Sequence, residues 1–462
     1  MTLRRLSAHN FRNLKAVDIE LSPQLNIFFG DNGSGKTSVL EAISTLSLGR
    51  SFRSRKYKTM INYDAEAYTV FGRVQLSPYL VEGSGELFES CDGGTTSGAS
   101  SEPPGSPLSS SETTLPIGVQ RDRQGQALIK KGGQPCASAA ELAEALPVRV
   151  MNGHSFSLLE GAPLVRRQFL DWLVFHVEHD FYSVWRSYEK CLKHRNSLLR
   201  RGKIDPLQLA PWDRELAALA ARLDRFRDSA FHRLQLVFSR LISGFEGLEK
   251  LSLRYYRGWD AEQEFSELLQ FTQERDNELG YTRQGPHRAD VKIMSGKVAA
   301  VDVLSRGQQK IVVSALLIAQ GMVYSEQRKR RCVYLIDDLP AELDEHFRLI
   351  LAEWLVDMGC QVFVTGVEKA PVLAAWQGVW QKQRPGNGQQ KNEAAAVTRV
   401  SDDPHGTTDT ATAGDGTAKG SEATTGIAPG VVSDKSSLMN DIRVFHVKHG
   451  VVEQEKAPEI VG

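Results

Sequence analysis

The sequence lacks several things that would point elsewhere. Its five cysteines (Cys91, Cys136, Cys191, Cys332 and Cys360) are an odd number, widely scattered, with no Cys-x-x-Cys pair. That excludes a disulfide framework and a cysteine zinc site, and fits a reducing cytoplasm. No apolar run approaches the ~20 residues needed to cross a bilayer. The N-terminal residues are basic but no apolar stretch follows, so no secretory signal is expected. Net charge is also absent: 56 basic residues balance 56 acidic ones. Coating nucleic acid by bulk charge is thereby excluded, while a local basic patch is not. The expectation is a soluble cytoplasmic protein with no membrane partner.

Two stretches have little with which to build a core. Residues 82–114 are crowded with Ser, Gly, Thr, Glu and Pro, and residues 383–437 are rich in Gly, Thr, Ala, Gln and Asp. Neither offers enough apolar surface to offset its ordering entropy, so both read as disordered insertions. A strand-like segment, Ile442–Val447, follows the second, which therefore interrupts the fold.

What is present is patterned. Val17, Ile19 and Leu21 alternate with polar residues, and Leu25–Phe29 is a short apolar run that stops at Gly30. Trp212, Leu216, Leu219, Leu223, Phe226, Ala230, Leu234, Val237 and Leu241 form one helical stripe, on a helix that would span ~45 Å at 1.5 Å per residue. Phe181, Trp185, Tyr188, Leu192, Arg195 and Leu199 mark a partner helix, with Lys203–Pro211 as the connection of an antiparallel hairpin.

Three motifs carry chemistry. Gly30-Asp31-Asn32-Gly33-Ser34-Gly35-Lys36-Thr37 fits Gly-x-x-x-x-Gly-Lys-Thr between an apolar strand and a helix-like run, the context that makes a phosphate loop. Its glycines let backbone N–H groups face phosphates, and the helix N-terminus adds positive potential. Lys36 would reach the β- and γ-phosphates of ATP and Thr37 would ligate Mg2+. Downstream, the strand Cys332–Ile336 ends in Asp337 and Asp338. The first carboxylate is placed to hold the same magnesium, the second to orient or deprotonate an attacking water. Between them, Ser305 precedes an apolar helix as an N-cap in Leu304-Ser305-Arg306-Gly307-Gln308, leaving a second anion-attracting helix start.

In this company Leu304–Gln308 resembles the signature of ABC-type ATPases, with Arg306 replacing the first glycine. About 270 residues separate it from Lys36, and the intervening helical hairpin follows the plan of SMC-like ATPases. Further blocks sharpen the resemblance: Asn10–Leu14, Gly49–Ser54, Ser155–Gly161, Arg166–Trp172, Gly285–Asp290 and Asp337–Asp344. Together they resemble the RecF family of bacterial recombination-mediator ATPases over almost the whole chain outside the two low-complexity stretches.

The resemblance implies an α/β fold: a two-lobed, SMC-like ABC ATPase head with an inserted α-helical subdomain. Residues 1–165 are expected to form lobe I, 166–280 the helical subdomain and 281–382 lobe II. Residues 383–437 would be an insert and 438–462 a returning strand and tail. It implies an ATP-dependent homodimer in which Ser305, Gly307 and Gln308 close on the partner's nucleotide and Asp344 lies in the interface loop. Lys36 and Asp338 would be catalytic, with slow hydrolysis because aspartate is shorter than the usual glutamate, and Thr365 stands where a switch histidine is usual. Asn152, in a loop that departs from the family pattern, is the candidate nucleotide sensor. The expected partners are duplex DNA at single-strand gaps, RecR and RecO, in the service of loading RecA. Arg50, Arg53, Arg55 and Lys56 are the candidate DNA contacts. A non-hydrolysing, ATP-stabilised scaffold and a transport ATPase subunit are the competing readings.

Overall fold

The computed structural model describes residues 1–54, 56–76, 114–202, 205–383 and 442–455. Arg55, Lys203 and nearly all of both low-complexity stretches lie outside the described residues.

Three sheets organise the chain. The first is antiparallel, in order β2-β1-β4-β5-β6-β7, from β1 (Thr2–Phe11), β2 (Leu14–Glu20), β4 (Ala67–Gln75), β5 (Thr114–Asp122), β6 (Ala127–Lys131) and β7 (Gln134–Pro135). Here β4 and β5 pair along their whole length, from Ala67 opposite Asp122 to Gln75 opposite Thr114. Thr114 is therefore the first residue of β5 rather than the last of the insertion.

The central sheet runs β15-β14-β3-β13-β12-β8, from β3 (Leu25–Phe29), β8 (Val148–Met151), β12 (Val333–Ile336), β13 (Gln361–Gly366), β14 (Ile442–Lys448) and β15 (Val451–Glu455). All neighbours are parallel except β14 and β15. The returning segment is thus β14, which docks beside β3 with Ile442 opposite Leu25. Strands from both ends of the chain build this one sheet, so 1–165 and 281–382 are interleaved in space.

The central sheet separates two cores. Leu25, Ile27, Tyr334, Ile336, Val362, Val364 and Val444 face one; Phe28, Val333, Leu335, Phe363, Phe445 and Val447 face the other. This is the period-2 alternation of a strand buried on both sides. The second core is closed by the antiparallel sheet and the helix Lys36–Leu48. The first continues without a break into the helices of residues 163–242.

Those helices form the hairpin, Phe181–Leu199 against Pro206–Ile242, with two corrections. The second helix starts at Pro206, capped by Asp205, whose side chain accepts the Leu207 N–H at 2.9 Å. The connection is therefore shorter than Lys203–Pro211, and Pro211 lies inside the helix. The buried stripe is also rotated: Leu216, Ala220, Leu223, Arg227, Ala230, Leu234, Phe238 and Ile242 are buried, while Leu219, Phe226, Val237 and Leu241 flank them. Arg227 lies within this face, and its guanidinium reaches Asp171 (2.7 and 3.0 Å) and the Pro286 carbonyl (2.7 Å). A paired arginine occupies a core position that an apolar stripe does not reveal. A third, small sheet of β9 (Leu251–Tyr256), β10 (Asp290–Ser295) and β11 (Val298–Ala299) joins the hairpin to the signature region.

Candidate nucleotide site

The loop Gly30–Thr37 leaves the C-terminal end of β3 and enters the helix Lys36–Leu48. Gly30, Gly33 and Gly35 have φ of 146°, 81° and 120°, which side chains rarely adopt. A Cβ on Gly30 would overlap the carbonyl oxygen of Val447 in β14. No side chain caps this helix. Its first N–H groups are left directed out of the N-terminus, the arrangement that attracts an anion. Lys36 is buried, and its ammonium donates to the carbonyls of Gly30 (2.7 Å) and Asp31 (2.8 Å). Burial pulls its pKa down, against the opposing charges of Asp338, Asp337 and Asp31.

Across the sheet, β12 delivers Asp337. The Thr37 hydroxyl lies 2.9 and 3.1 Å from its two carboxylate oxygens. The Thr365 hydroxyl, at the end of β13, donates to Asp337 at 2.8 Å and accepts the Asp338 N–H at 2.8 Å. Two strands and one helix thus converge on one carboxylate. Asp338 follows in a left-handed conformation, φ 56° and ψ 49°. Such strain is held only where surrounding contacts over-determine it.

No group of three or more His, Cys, Asp or Glu side chains is poised for a metal among the described residues. One hydroxyl and one carboxylate, Thr37 and Asp337, fit magnesium, which takes few protein oxygens when phosphates and water supply the rest.

The remaining candidates lie apart. Ser305 is an N-cap: its hydroxyl accepts the Gln308 N–H at 3.3 Å and the Gln308 side chain accepts the Ser305 N–H at 3.0 Å, a capping box on the helix Arg306–Arg328. Arg306 pairs with Glu160. No hydrogen bond joins Ser305, Gly307 or Gln308 to the phosphate loop among the described residues. Asp344 is exposed and caps the helix Glu345–Asp357, accepting the Phe347 N–H at 2.8 Å. Asn152 caps a short turn through the His154 N–H (3.0 Å), and with Asp337, Ser155 and Lys310 lines a small cavity of about 40 Å3. Arg50, Arg53 and Lys56 are exposed on the segment after the loop helix. The Ser51 hydroxyl, held by Glu41, accepts the N–H groups of Arg53 and Ser54 (both 2.9 Å).

Two supports of the loop escaped the reading of the sequence. Asn13, in the turn between β1 and β2, donates to the Gly33 carbonyl (3.3 Å) and accepts the Ser38 hydroxyl (2.8 Å). Gly450, between β14 and β15, donates its N–H to the Ser34 carbonyl at 2.8 Å. Asn13 sits within the block Asn10–Leu14, so a signal existed. Nothing local marks Gly450.

The family model "RecF/RecN/SMC N terminal domain" matches residues 2–380. The DNA replication and repair protein RecF of Cellvibrio japonicus (strain Ueda107) is 48% identical over 376 residues, 81% of this chain and 94% of that protein. The chain belongs to the RecF family. The protein of the same description from Pseudomonas entomophila (strain L48) is 45% identical over 377 residues, 82% of this chain and 94% of that one. Among solved structures, that of the recombination mediator protein RecF-ATP in the RecFOR pathway aligns with a TM-score of 0.69 at 22% identity, covering 98% of both chains. That is a likeness of fold, and it accords with the ABC-type, SMC-like α/β architecture described above. No helix among the described residues is long and apolar enough to cross a membrane.

Proposed function

We propose that this chain is an ATP-binding, slowly hydrolysing DNA-binding protein of replication and recombinational repair. Membership of a family whose relatives are described as DNA replication and repair proteins supports the process. The observation that carries the nucleotide part is the convergence of Thr37, Asp337 and Thr365 at the mouth of a glycine loop whose lysine is already turned inward. In this reading Gly30–Thr37 cradle the phosphates and Lys36 exchanges its two loop carbonyls for phosphate oxygens. Thr37 and Asp337 hold magnesium, which when bound neutralises phosphate charge. Asp338, one residue beyond, orients or deprotonates the attacking water; its short reach suits slow turnover.

Ser305, Gly307 and Gln308, unattached to the loop of their own chain, suit a role on the nucleotide of a second copy, with Asp344 in the same interface. Two nucleotides bridging two heads would close a surface bearing Arg50, Arg53 and Lys56 on duplex DNA beside a single-strand gap. The family resemblance adds RecR and RecO as partners and RecA loading as the outcome. Moving a dimer from 1:99 to 99:1 needs ~5.5 kcal/mol of differential binding, shared here by two sites. Residues 1–165, 166–280 and 281–382 would act as lobe I, helical subdomain and lobe II.

The test is fluorescence anisotropy on a gapped duplex, with ATP, with ADP and without nucleotide, for the wild type and Lys36→Met. Tight binding by the wild type with ATP alone is the expected result. Equal binding in every condition would overturn nucleotide gating.

A further inference from the structure

The segment between the basic cluster and β4 carries a side chain with no structural purpose of its own. Tyr63 is 97% exposed, the most exposed large aromatic or aliphatic side chain among the described residues. Such a ring could be accidental on a loose loop, but this loop is tightly held. Asn62 is buried: its N–H donates to the Asn10 carbonyl (2.8 Å), its amide to the Arg12 carbonyl (2.7 Å), and its side-chain oxygen accepts the Asp64 N–H (3.1 Å). From the other side Arg123 gives its guanidinium to three carbonyls of the loop: Asn62 (3.1 Å), Tyr63 (2.9 Å) and Ala65 (2.8 Å). The backbone on both flanks of Tyr63 is held by hydrogen bonds while the residue itself is almost wholly exposed.

The surroundings say what such a ring could meet. Lys58 is exposed on the turn Tyr57–Met60 that leads into it and Lys56 is exposed immediately before that turn, where Arg12 donates to the Thr59 carbonyl (2.7 Å). The exposed Asp64 follows Tyr63 directly in the chain. Phosphates are therefore drawn to the lysine side and repelled from the ring, which leaves a π-face for a base. A fixed aromatic next to a basic track is how a strand with unpaired bases is held, because every base has a face to stack and a phosphate to neutralise. A paired base inside an intact duplex has no free face to offer.

We propose that Tyr63 is a stacking platform for an unpaired base where single strand meets duplex, and so a determinant of gap selectivity. The inference rests on the DNA-binding reading above. Tyr63 contacts the base and Lys56 and Lys58 contact the backbone, so the two kinds of group have separable signatures.

The experiment compares the full chain with ATP on a gapped duplex and on an intact duplex of equal length. The variants are Tyr63→Ala, Tyr63→Trp and the double variant Lys56→Ala/Lys58→Ala, each across a salt series. Tyr63→Ala should lose about tenfold in affinity for the gapped duplex, the order of one base stack, and nothing for the intact one. Its salt slope should match the wild type, and Tyr63→Trp should keep the preference. The lysine variant should weaken both substrates and flatten the slope. A 2-aminopurine at the first unpaired position should be quenched by the wild type and not by Tyr63→Ala. Unchanged gap preference in Tyr63→Ala, or equal loss on both substrates, would overturn the proposal. So would a loss of ATP affinity without DNA, since the ring would then serve the nucleotide's adenine. Binding of the wild type to neither duplex would instead remove the DNA-binding reading, and this inference with it.

Discussion

Thr365→Val tests whether the convergence on Asp337 is what organises the site. Valine matches threonine in shape and Thr365 is fully buried, so packing is conserved and only the hydroxyl is lost. That hydroxyl makes two bonds of 2.8 Å, one to the Asp337 carboxylate and one from the Asp338 N–H. A hydrogen bond to a charged group contributes about 1.5–3 kcal/mol, and an unsatisfied N–H costs about 1 kcal/mol or more. Part of this is recovered, because Asp338 at φ 56° is free to relax once its tether is gone. The net expectation is a loss of about 2–3 kcal/mol. At about 2 °C per kcal/mol for a large domain, that is a fall of about 5 °C in the melting temperature. Thr365→Ser, which keeps the hydroxyl, should lose less than half as much. Asp337 also loses one of its two orienting hydroxyls, so ATP affinity in magnesium should fall for Val and hold for Ser. If Val melts within a degree of the wild type, or if Ser is the worse of the two, the hydroxyl is not what orders the site and the argument fails.

Other consequences are open to direct measurement. Asp338→Asn should retain ATP binding and lower turnover by at least tenfold; undiminished turnover in a steady-state phosphate assay would remove Asp338 from catalysis. Gly450→Ala places a Cβ against the Asn13 carbonyl oxygen at φ 81°, which should displace the β14–β15 turn from Ser34 and weaken nucleotide binding several-fold; isothermal titration showing unchanged affinity would make that turn irrelevant to the loop. Arg227→Ala strands the Asp171 carboxylate, and urea denaturation should reveal a loss of about 3–5 kcal/mol. Burial pushes His176 and His287 down to about 4. His287 suits the neutral ring, with Nε2–H donating to the Thr282 carbonyl (3.0 Å) and Nδ1 accepting the Tyr188 hydroxyl (2.7 Å). Because both folded values lie below the ordinary ~6.5, their contribution is complete above pH 6.5 and is lost as pH falls toward 4. At pH 5.5 the loss is about 1.4 kcal/mol each. Urea midpoints at pH 7.5 and 5.5 should differ accordingly, and His287→Gln should remove about half of this histidine component; an undiminished difference would mean His287 is not held neutral.

The parts whose chemistry is local were readable from the order of residues alone. Gly30–Thr37 reads as a phosphate loop because only that spacing of glycines, lysine and threonine gives a backbone cradle ahead of a helix. Ser305 reads as a cap because a hydroxyl directly before an apolar helical run can accept an N–H of the first turn. The strand before Asp337 and the returning strand Ile442–Val447 were legible because a run of apolar residues that stops at a turn needs no knowledge of its neighbours. Tertiary structure decided what acts at a distance. Thr365 meets Asp337 only because β12 and β13 lie side by side, and Gly450 meets Ser34 only because β14 docks against β3. The buried face of the long helix includes Arg227, whose burial is permitted by Asp171 and the Pro286 carbonyl, partners 56 and 59 residues away. The short β9–β11 sheet went unread for the same reason, since its pairing joins Tyr256 to Asp290 across the helices between them. Helix starts and glycine turns are set by bonds a few residues long, whereas sheet order and buried charge depend on partners that the local pattern does not contain.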